Sequence, residues 1–201
     1  MFQEFKNDKL DIIILAGQSN AEGQGRGEVT KEYEVCDRIL YMNDDCNPHF
    51  IKENGNYKLI IKENPTSYIE VAKVAVDKLG KRVCLGHTFA THYKNEVLKE
   101  GRKVLILNAA IGGTGFSRNE WGINSTLYPR LKKMVDEVLA LNSENKVVAF
   151  LWHQGEHDAF ERAEWGVEKR YTVHRQNLLE MMQDFYSIYG KNIPFIAGGF
   201  C

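Results

Sequence analysis

The sequence predicts an α/β fold, a three-layer α/β/α sandwich built around a central parallel sheet. The first observation is that short, unbroken apolar runs recur along the chain, as expected for strands buried on both faces of such a sheet. The second is that segments with helical spacing separate these runs in the second half. Strands and helices that alternate in this way place helices on both faces of a parallel sheet. We therefore expect a single domain over residues 1–201, because no repeat or linker interrupts the pattern.

The first half of the chain contains one strong strand signal and several weaker ones. A strand is predicted over residues 11–16, where four bulky apolar residues run without a break. Short strands are predicted over 38–42 and 57–61, and the turn-forming residues between them favour a small hairpin outside the main sheet. Residues 68–79 are ambiguous between a helix and irregular structure.

The second half of the chain alternates more clearly. Residues 88–100 predict a helix that ends before Gly101, a residue suited to a C-terminal cap. Apolar residues at helical spacing predict a further helix over 127–141. The remaining predicted elements are a strand over 104–107, a strand over 147–152, a helix over 169–189 and a strand that begins at Pro194.

The composition is typical of a soluble globular protein, with 43% hydrophobic residues, 26% charged residues and a formal net charge of -1. This balance gives no reason to expect binding to nucleic acid or to an acidic membrane surface. No apolar run reaches the roughly 18 residues of a transmembrane helix. The N-terminus lacks the pattern of a signal peptide. The four cysteines show neither metal-type spacing nor a dense disulfide framework, so we expect a reduced, cytoplasmic setting.

Ser19 is the first candidate functional residue. It follows the first predicted strand in the stretch Gly17-Gln18-Ser19-Asn20. Open α/β sheets place their chemistry at the carboxyl ends of their strands, which favours a functional serine. The alternative is that Ser19 caps the next helix. Spacing alone does not decide between the two, because Gly-x-Ser occurs often by chance.

Two later stretches also follow predicted strands. Residues 108–115 contain the pair Gly112-Gly113, which lets a backbone N–H approach a ligand closely. A glycine-rich turn without a ligand explains the same spacing, whereas a phosphate loop is disfavoured because no Gly-Lys-Ser/Thr follows. Residues 152–158 gather five polar side chains and a glycine at one strand end, which a purely structural turn does not require.

A metal site in this last stretch is disfavoured. His153, His157, Glu156 and Asp158 all carry possible ligand atoms. Residues two or four apart at a strand end do not by themselves form a tetrahedral set, and no further Cys or His is spaced to complete one. We therefore expect neither a metal nor another cofactor.

Taken together, the three stretches resemble the SGNH (GDSL-like) hydrolases. They are most similar to the branch of sialate O-acetylesterases and carbohydrate acetylesterases whose signature is Gly-Gln-Ser-Asn. The resemblance covers residues 11–200 and implies the flavodoxin-like SGNH fold. It also implies a serine carboxylic-ester hydrolase, an acetylesterase that removes acetyl groups from sugars or polysaccharides such as sialic acid or xylan. The expected partner is therefore an acetylated carbohydrate.

The resemblance assigns roles to individual residues. It implies Ser19 as the nucleophile and an oxyanion hole formed by the N–H groups of Ser19 and Gly113 and the amide of Gln154. Residues 85–90 are also similar to the family, and His87 there either contacts substrate or caps and packs its helix. The residues implied to support these groups or to contact substrate are Gln18, Asn20, Gly112, His153, Glu156 and Asp158.

One element of the family pattern is missing. SGNH enzymes transfer the serine proton to a His in a C-terminal Asp-x-x-His block, and no such block follows Glu156. The sequence is then a fragment or truncation that lacks this segment, an inactive relative that binds acylated sugars, or an enzyme with a replacement base. His157 departs from the family pattern and is the candidate for that base.

Two other readings of the function stay open at this point. The first is a non-catalytic carbohydrate-binding pseudoenzyme on the same fold. The second is a lipid esterase or thioesterase, which the polar residues Glu22, Gln24 and Arg26 beside the site disfavour. A homo-oligomer is also open, because a sheet without its terminal elements exposes an apolar edge.

Overall fold

The computed structural model has a six-stranded mixed sheet at its centre and describes residues 2–26, 35–73, 75–77, 80–160, 162 and 164–199. The elements that precede the second half are a 3-10 helix (Gln3–Phe5), β1 (Lys9–Gly17), α1 (Ser19–Glu22), β2 (Gly25–Arg26), β3 (Ile39–Asp44), β4 (His49–Glu53), β5 (Asn56–Ile60), β6 (Ser67–Val71), β7 (Ala75–Asp77) and β8 (Gly80–Val83). They are followed by α2 (Leu85–Glu96), β9 (Arg102–Asn108), α3 (Leu127–Leu141), β10 (Lys146–His153), α4 (Glu156–Phe160), α5 (Val167–Tyr189) and β11 (Phe195–Ala197).

The central sheet has the strand order β11-β10-β1-β9-β3-β6. Its first five strands are parallel, and β6 runs antiparallel to β3 at one edge. The predicted α/β architecture is confirmed, with the difference that the sheet is mixed. None of the described helices is long and apolar enough to cross a lipid bilayer.

The apolar run in β1 forms part of two cores, one on each face of the sheet. Ile12 and Ile14 join the core beneath α3 and α5, while Ile13 and Leu15 join the core beneath α2. Successive side chains of a strand point to opposite faces, so an unbroken apolar run is what a strand covered on both sides requires. β1 is therefore the central strand, with β9 and β10 on either side of it.

A buried ion pair connects β3 to α3 and to the end of β9. The guanidinium of Arg130 donates to the two carboxylate oxygens of Asp44 at 2.6 and 2.7 Å, and to the carbonyl of Ala109 at 3.0 Å. Both charged side chains are almost fully buried. Because bidentate Arg–carboxylate contacts fix orientation as well as distance, this pair sets where the chain leaves β9.

Several predicted elements differ from the structure. The strand predicted over 38–42 is β3 in the main sheet, so its proposed pairing with 57–61 is wrong, and the external hairpin forms instead between β4 and β5. The segment 68–79 begins as a strand, β6, and not as a helix. The helix predicted over 88–100 starts at Leu85 and ends at Glu96, while Gly101 lies in the turn before β9.

Other predictions agree with the structure or fall outside it. The helix predicted over 127–141 is confirmed at both ends. The long helix ends at Tyr189 as predicted, with Gly190 at a positive φ of 110° after it. Residues 27–34, which follow the polar residues Glu22, Gln24 and Arg26, and the last two residues of the chain lie outside the described residues.

Candidate functional site

The three motifs lie at one edge of the sheet because they follow neighbouring parallel strands. Ser19 begins α1 directly after β1, the Gly112-Gly113 pair follows β9, and the stretch from Gln154 to Asp158 follows β10. β9, β1 and β10 are adjacent, so their carboxyl ends form one continuous edge. Edges of this kind are where open α/β sheets bind ligands.

Gly17 fixes how the chain leaves β1 towards Ser19. Its φ of 127° lies in a region that side chains rarely adopt, and a Cβ at this position would overlap the carbonyl oxygen of His153. The next residue, Gln18, donates its backbone N–H to that same carbonyl at 3.0 Å. The ends of β1 and β10 are thus locked together, which fixes the position of Ser19.

Ser19 lies against the glycine pair that follows β9. A Cβ built on Gly112 would lie 3.6 Å from the Cβ of Ser19. The N–H of Gly112 donates to Oε2 of Glu22 at 3.0 Å, so this donor is occupied. Among the described residues no acceptor is found for the N–H of Ser19 or of Gly113, and Gly113 has a φ of 72°. The structure therefore leaves these two N–H groups without an acceptor among the described residues.

Gln154 links the three motifs and is 2% exposed. Its amide nitrogen donates to Oε1 of Gln18 at 3.3 Å and to the carbonyl of Thr114 at 3.2 Å. The same oxygen of Gln18 accepts the backbone N–H of His157 at 3.1 Å. The structure therefore brings Gln154 to the motif that contains Ser19, with both amide protons engaged. To donate to an oxyanion, Gln154 would have to release one of these contacts, of which the contact to Gln18 is the longer.

Asp158 holds the loop that follows the glycine pair. Its carboxylate accepts the backbone N–H of Ser117 at 2.8 Å, the N–H of Phe116 at 3.2 Å and Nδ1 of His174 at 2.8 Å. Burial raises the pKa of Asp158, but the hydrogen bonds from His174 and Ser117 outweigh it and hold this pKa below its usual value. The charged carboxylate therefore connects α4, α5 and the loop after β9.

Glu156 and His153 form a second polar cluster next to Ser19. Oε1 of Glu156 accepts the amide of Asn20 at 2.6 Å, and Nδ1 of His153 lies 3.4 Å from the same oxygen. The imidazole of His153 also packs so closely against Gly198 that a Cβ there would overlap it. This cluster connects the residue after Ser19 with the chain that leaves β11.

Glu120 is a buried carboxylate that contacts the loop after the glycine pair. Glu120 accepts the N–H of Gly115 at 2.7 Å, and burial raises the pKa of Glu120 although its neighbour Arg118 opposes the shift.

His157 lies in α4 with its Nε2 shielded from solvent. His174 was not predicted as a site residue, because it lies 16 residues after Asp158 in a helix and no local pattern marks it. No group of three or more potential metal ligands occurs among the described residues.

Comparison with known proteins supports the resemblance. The family model described as carbohydrate esterase, sialic acid-specific acetylesterase matches residues 9–200. The crystal structure of NanS is 19% identical with a TM-score of 0.64, and the match covers 96% of this chain and 68% of that one. A protein from Arabidopsis thaliana is 20% identical with a TM-score of 0.64, over 94% of this chain and 73% of that one. A search of curated proteins found no match. At these identities the two structures establish the fold.

Proposed function

Because the chain belongs to the carbohydrate esterase family of sialic acid-specific acetylesterases, we propose that it hydrolyses O-acetyl esters of a carbohydrate with Ser19 as the nucleophile. The observation that carries the proposal is the position of Ser19, which begins α1 beside the glycine pair. The N–H groups of Ser19 and Gly113 have no acceptor among the described residues. An acetyl carbonyl placed between them would meet a nucleophile and two donors at once.

In the proposed reaction the hydroxyl oxygen of Ser19 attacks the acetyl carbonyl while a base takes the hydroxyl proton. The negative charge that develops on the carbonyl oxygen is stabilised by the N–H groups of Ser19 and Gly113. Gln154 becomes a third donor when it releases Gln18. Collapse of the intermediate breaks the bond to the sugar oxygen, which takes the proton from the base, and leaves an acetyl group on Ser19. Water then gives a proton to the same base and attacks this acetyl-enzyme, and acetate leaves as the Ser19 oxygen takes that proton.

We propose His157 as the base that takes the proton of the Ser19 hydroxyl. Its backbone N–H donates to the side chain of Gln18, the residue before Ser19, so α4 is tied to the nucleophile motif. A histidine is the side chain best suited to this proton transfer near neutral pH. Without a base, serine hydrolases keep a residual acceleration on the order of 10³ to 10⁴ over water. The contribution of His157 is therefore measurable as the hydrolysis rate above this residual rate.

The test is the hydrolysis of an aryl acetate and of an acetylated sugar by the chain and three variants. Ser19→Ala should remove the proposed nucleophilic reaction with both substrates. His157→Ala should lower the rate about tenfold or more and remove its rise with pH. His92→Ala is the matched control, since His92 is an exposed histidine of α2 that pairs with Glu96 on the surface. Equal rates for His157→Ala and His92→Ala would exclude His157 as the base.

A second candidate function is a non-catalytic protein that binds acetylated carbohydrate on the same scaffold. The observation that favours it is that Gln18 and Thr114 engage both amide protons of Gln154, so this donor is not free for an oxyanion. Such a protein would bind the acetylated sugar but would never carry an acetyl group on Ser19. An acetyl group on Ser19 therefore distinguishes the esterase from the binding protein, whereas sugar binding is expected of both.

A further inference from the structure

A cavity of about 330 Å³ lies at the same edge of the sheet, enclosed by α1, β3, β6, the end of β9 and the start of α2. Glu22 forms part of its wall and also accepts the N–H of Gly112, which contacts Ser19. Side chains three residues apart on a helix lie roughly 5–6 Å apart. The cavity therefore opens one helical turn from Ser19.

Three neutral polar side chains line this cavity, those of Tyr41, Asn108 and His87. The amide of Asn108 donates to the hydroxyl of Tyr41, and both side chains line the cavity. Burial raises the pKa of Tyr41, so the phenol keeps its proton, for which no acceptor is found among the described residues. His87 is buried beside them, and burial lowers its pKa, which favours the neutral imidazole. A ligand beside these three side chains meets neutral hydrogen-bonding groups, with the carboxylate of Glu22 also in the cavity wall.

The outer part of the cavity combines an aromatic ring with a pair of opposite charges. Tyr68 is 45% exposed, and burial together with Glu70 raises its pKa, so its hydroxyl also stays protonated. Glu70 and Lys73 pair with each other at 3.4 Å at the opening. Aromatic side chains offer a flat apolar surface with a polar tip, as Tyr68 does here.

We infer that this cavity binds the hydroxyl-bearing ring of a monosaccharide while the acetyl ester of that ring reaches Ser19. The inference rests on the proposed function and adds where the sugar lies. A sugar ring has apolar C–H faces, which suit Tyr68, and hydroxyl groups, which suit the neutral groups around Tyr41. The volume is near the lower end of the range for ligand pockets, roughly 300–1,000 Å³, which fits one ring and not a chain of several.

The test measures sugar binding without hydrolysis. The Ser19→Ala chain is titrated with mono-O-acetylated glucose, xylose and N-acetylneuraminic acid, and binding is followed by calorimetry or NMR. Adding Tyr41→Phe removes one hydrogen bond, and adding Tyr68→Ala removes the ring. Each change should raise the Kd of the bound sugar about fivefold or more. Tyr171→Ala is the matched control, because Tyr171 is an exposed tyrosine of α5 and lies outside this cavity. A thermal melt confirms that each variant is folded.

The outcomes separate this inference from the proposed function. If a sugar binds and only the two cavity variants weaken it, the inference holds even if the chain shows no hydrolysis. If no acetylated sugar binds, or if all three tyrosine variants bind it equally, the inference is overturned. Acetylation of Ser19 by an aryl acetate would still support the proposed chemistry in that case. With active chain, the cavity variants should also lower kcat/KM for the acetylated sugar by a larger factor than for the aryl acetate.

Discussion

Asp158→Ala should loosen the loop that follows the glycine pair and destabilise the chain. Asp158 is 3% exposed and accepts three hydrogen bonds, from Ser117, Phe116 and His174. Removing one partner of a buried pair costs roughly 3–5 kcal/mol, because the other groups stay buried without a partner. A loss of this size is a large share of the roughly 5–15 kcal/mol by which a typical domain is stable. For a chain of this length it should lower the melting temperature by about 10 °C.

The assay is chemical and thermal denaturation of the wild type, Asp158→Ala and Asp45→Ala. Asp45 is the matched control, because it pairs with Lys62 on the surface, where ion pairs contribute little. The low pKa of Asp158 means that its contribution is present above the pKa of about 3.9 expected in the unfolded chain and is lost as pH falls through the lower folded value. In the Asp158→Asn variant, the free energy of unfolding should therefore fall less steeply as the pH is lowered through the acid range. If Asp158→Ala and Asp45→Ala melt together, the carboxylate does not hold the loop.

Three further predictions follow from the packing around the site. Gly17→Ala should destabilise the chain by about 4 kcal/mol or more in urea unfolding, because its Cβ would overlap His153; a loss under about 1 kcal/mol would contradict this geometry. Arg130→Met should cost about 3–5 kcal/mol by leaving Asp44 buried and unpaired, and a second change, Asp44→Leu, should recover part of it; no recovery would argue against the ion pair as the cause. Phe150→Ala should cost about 3–5 kcal/mol in the same assay, since its ring is fully buried, and a smaller loss would show that the core closes over the gap.

The sequence predicted those parts of the fold in which a local pattern determines the structure. The unbroken run in β1 predicts a strand buried on both faces, and the apolar spacing of α3 predicts a helix over 127–141. The strand at 38–42 was recognised, but its neighbours were not, because an apolar run does not specify the strand with which it pairs. The start of α2 was missed since no side chain caps it, as its N-cap is Cys84.

In the candidate site too, local patterns predict some features, and others depend on tertiary packing. Ser19, the glycine pair and Gln154 follow strands, so their presence at one edge could be predicted from the order of elements alone. The contact between Asp158 and His174 depends on how α5 packs against α4, which no spacing in the sequence encodes. The engagement of the Gln154 amide by Gln18 and Thr114 is likewise a result of packing. Sequence patterns place residues at an edge, whereas tertiary packing decides which donors remain available.

The measurement that tests the central claim most directly is mass spectrometry of the chain after brief treatment with an aryl acetate. If Ser19 is the nucleophile, one acetyl group should appear on the peptide that contains Ser19 and should be lost on longer incubation. Ser19→Ala should abolish this label, and Ser143→Ala, which changes an exposed serine between α3 and β10, should leave it in place. An unlabelled Ser19, or equal labelling of the chain and its Ser19→Ala variant, would contradict the account.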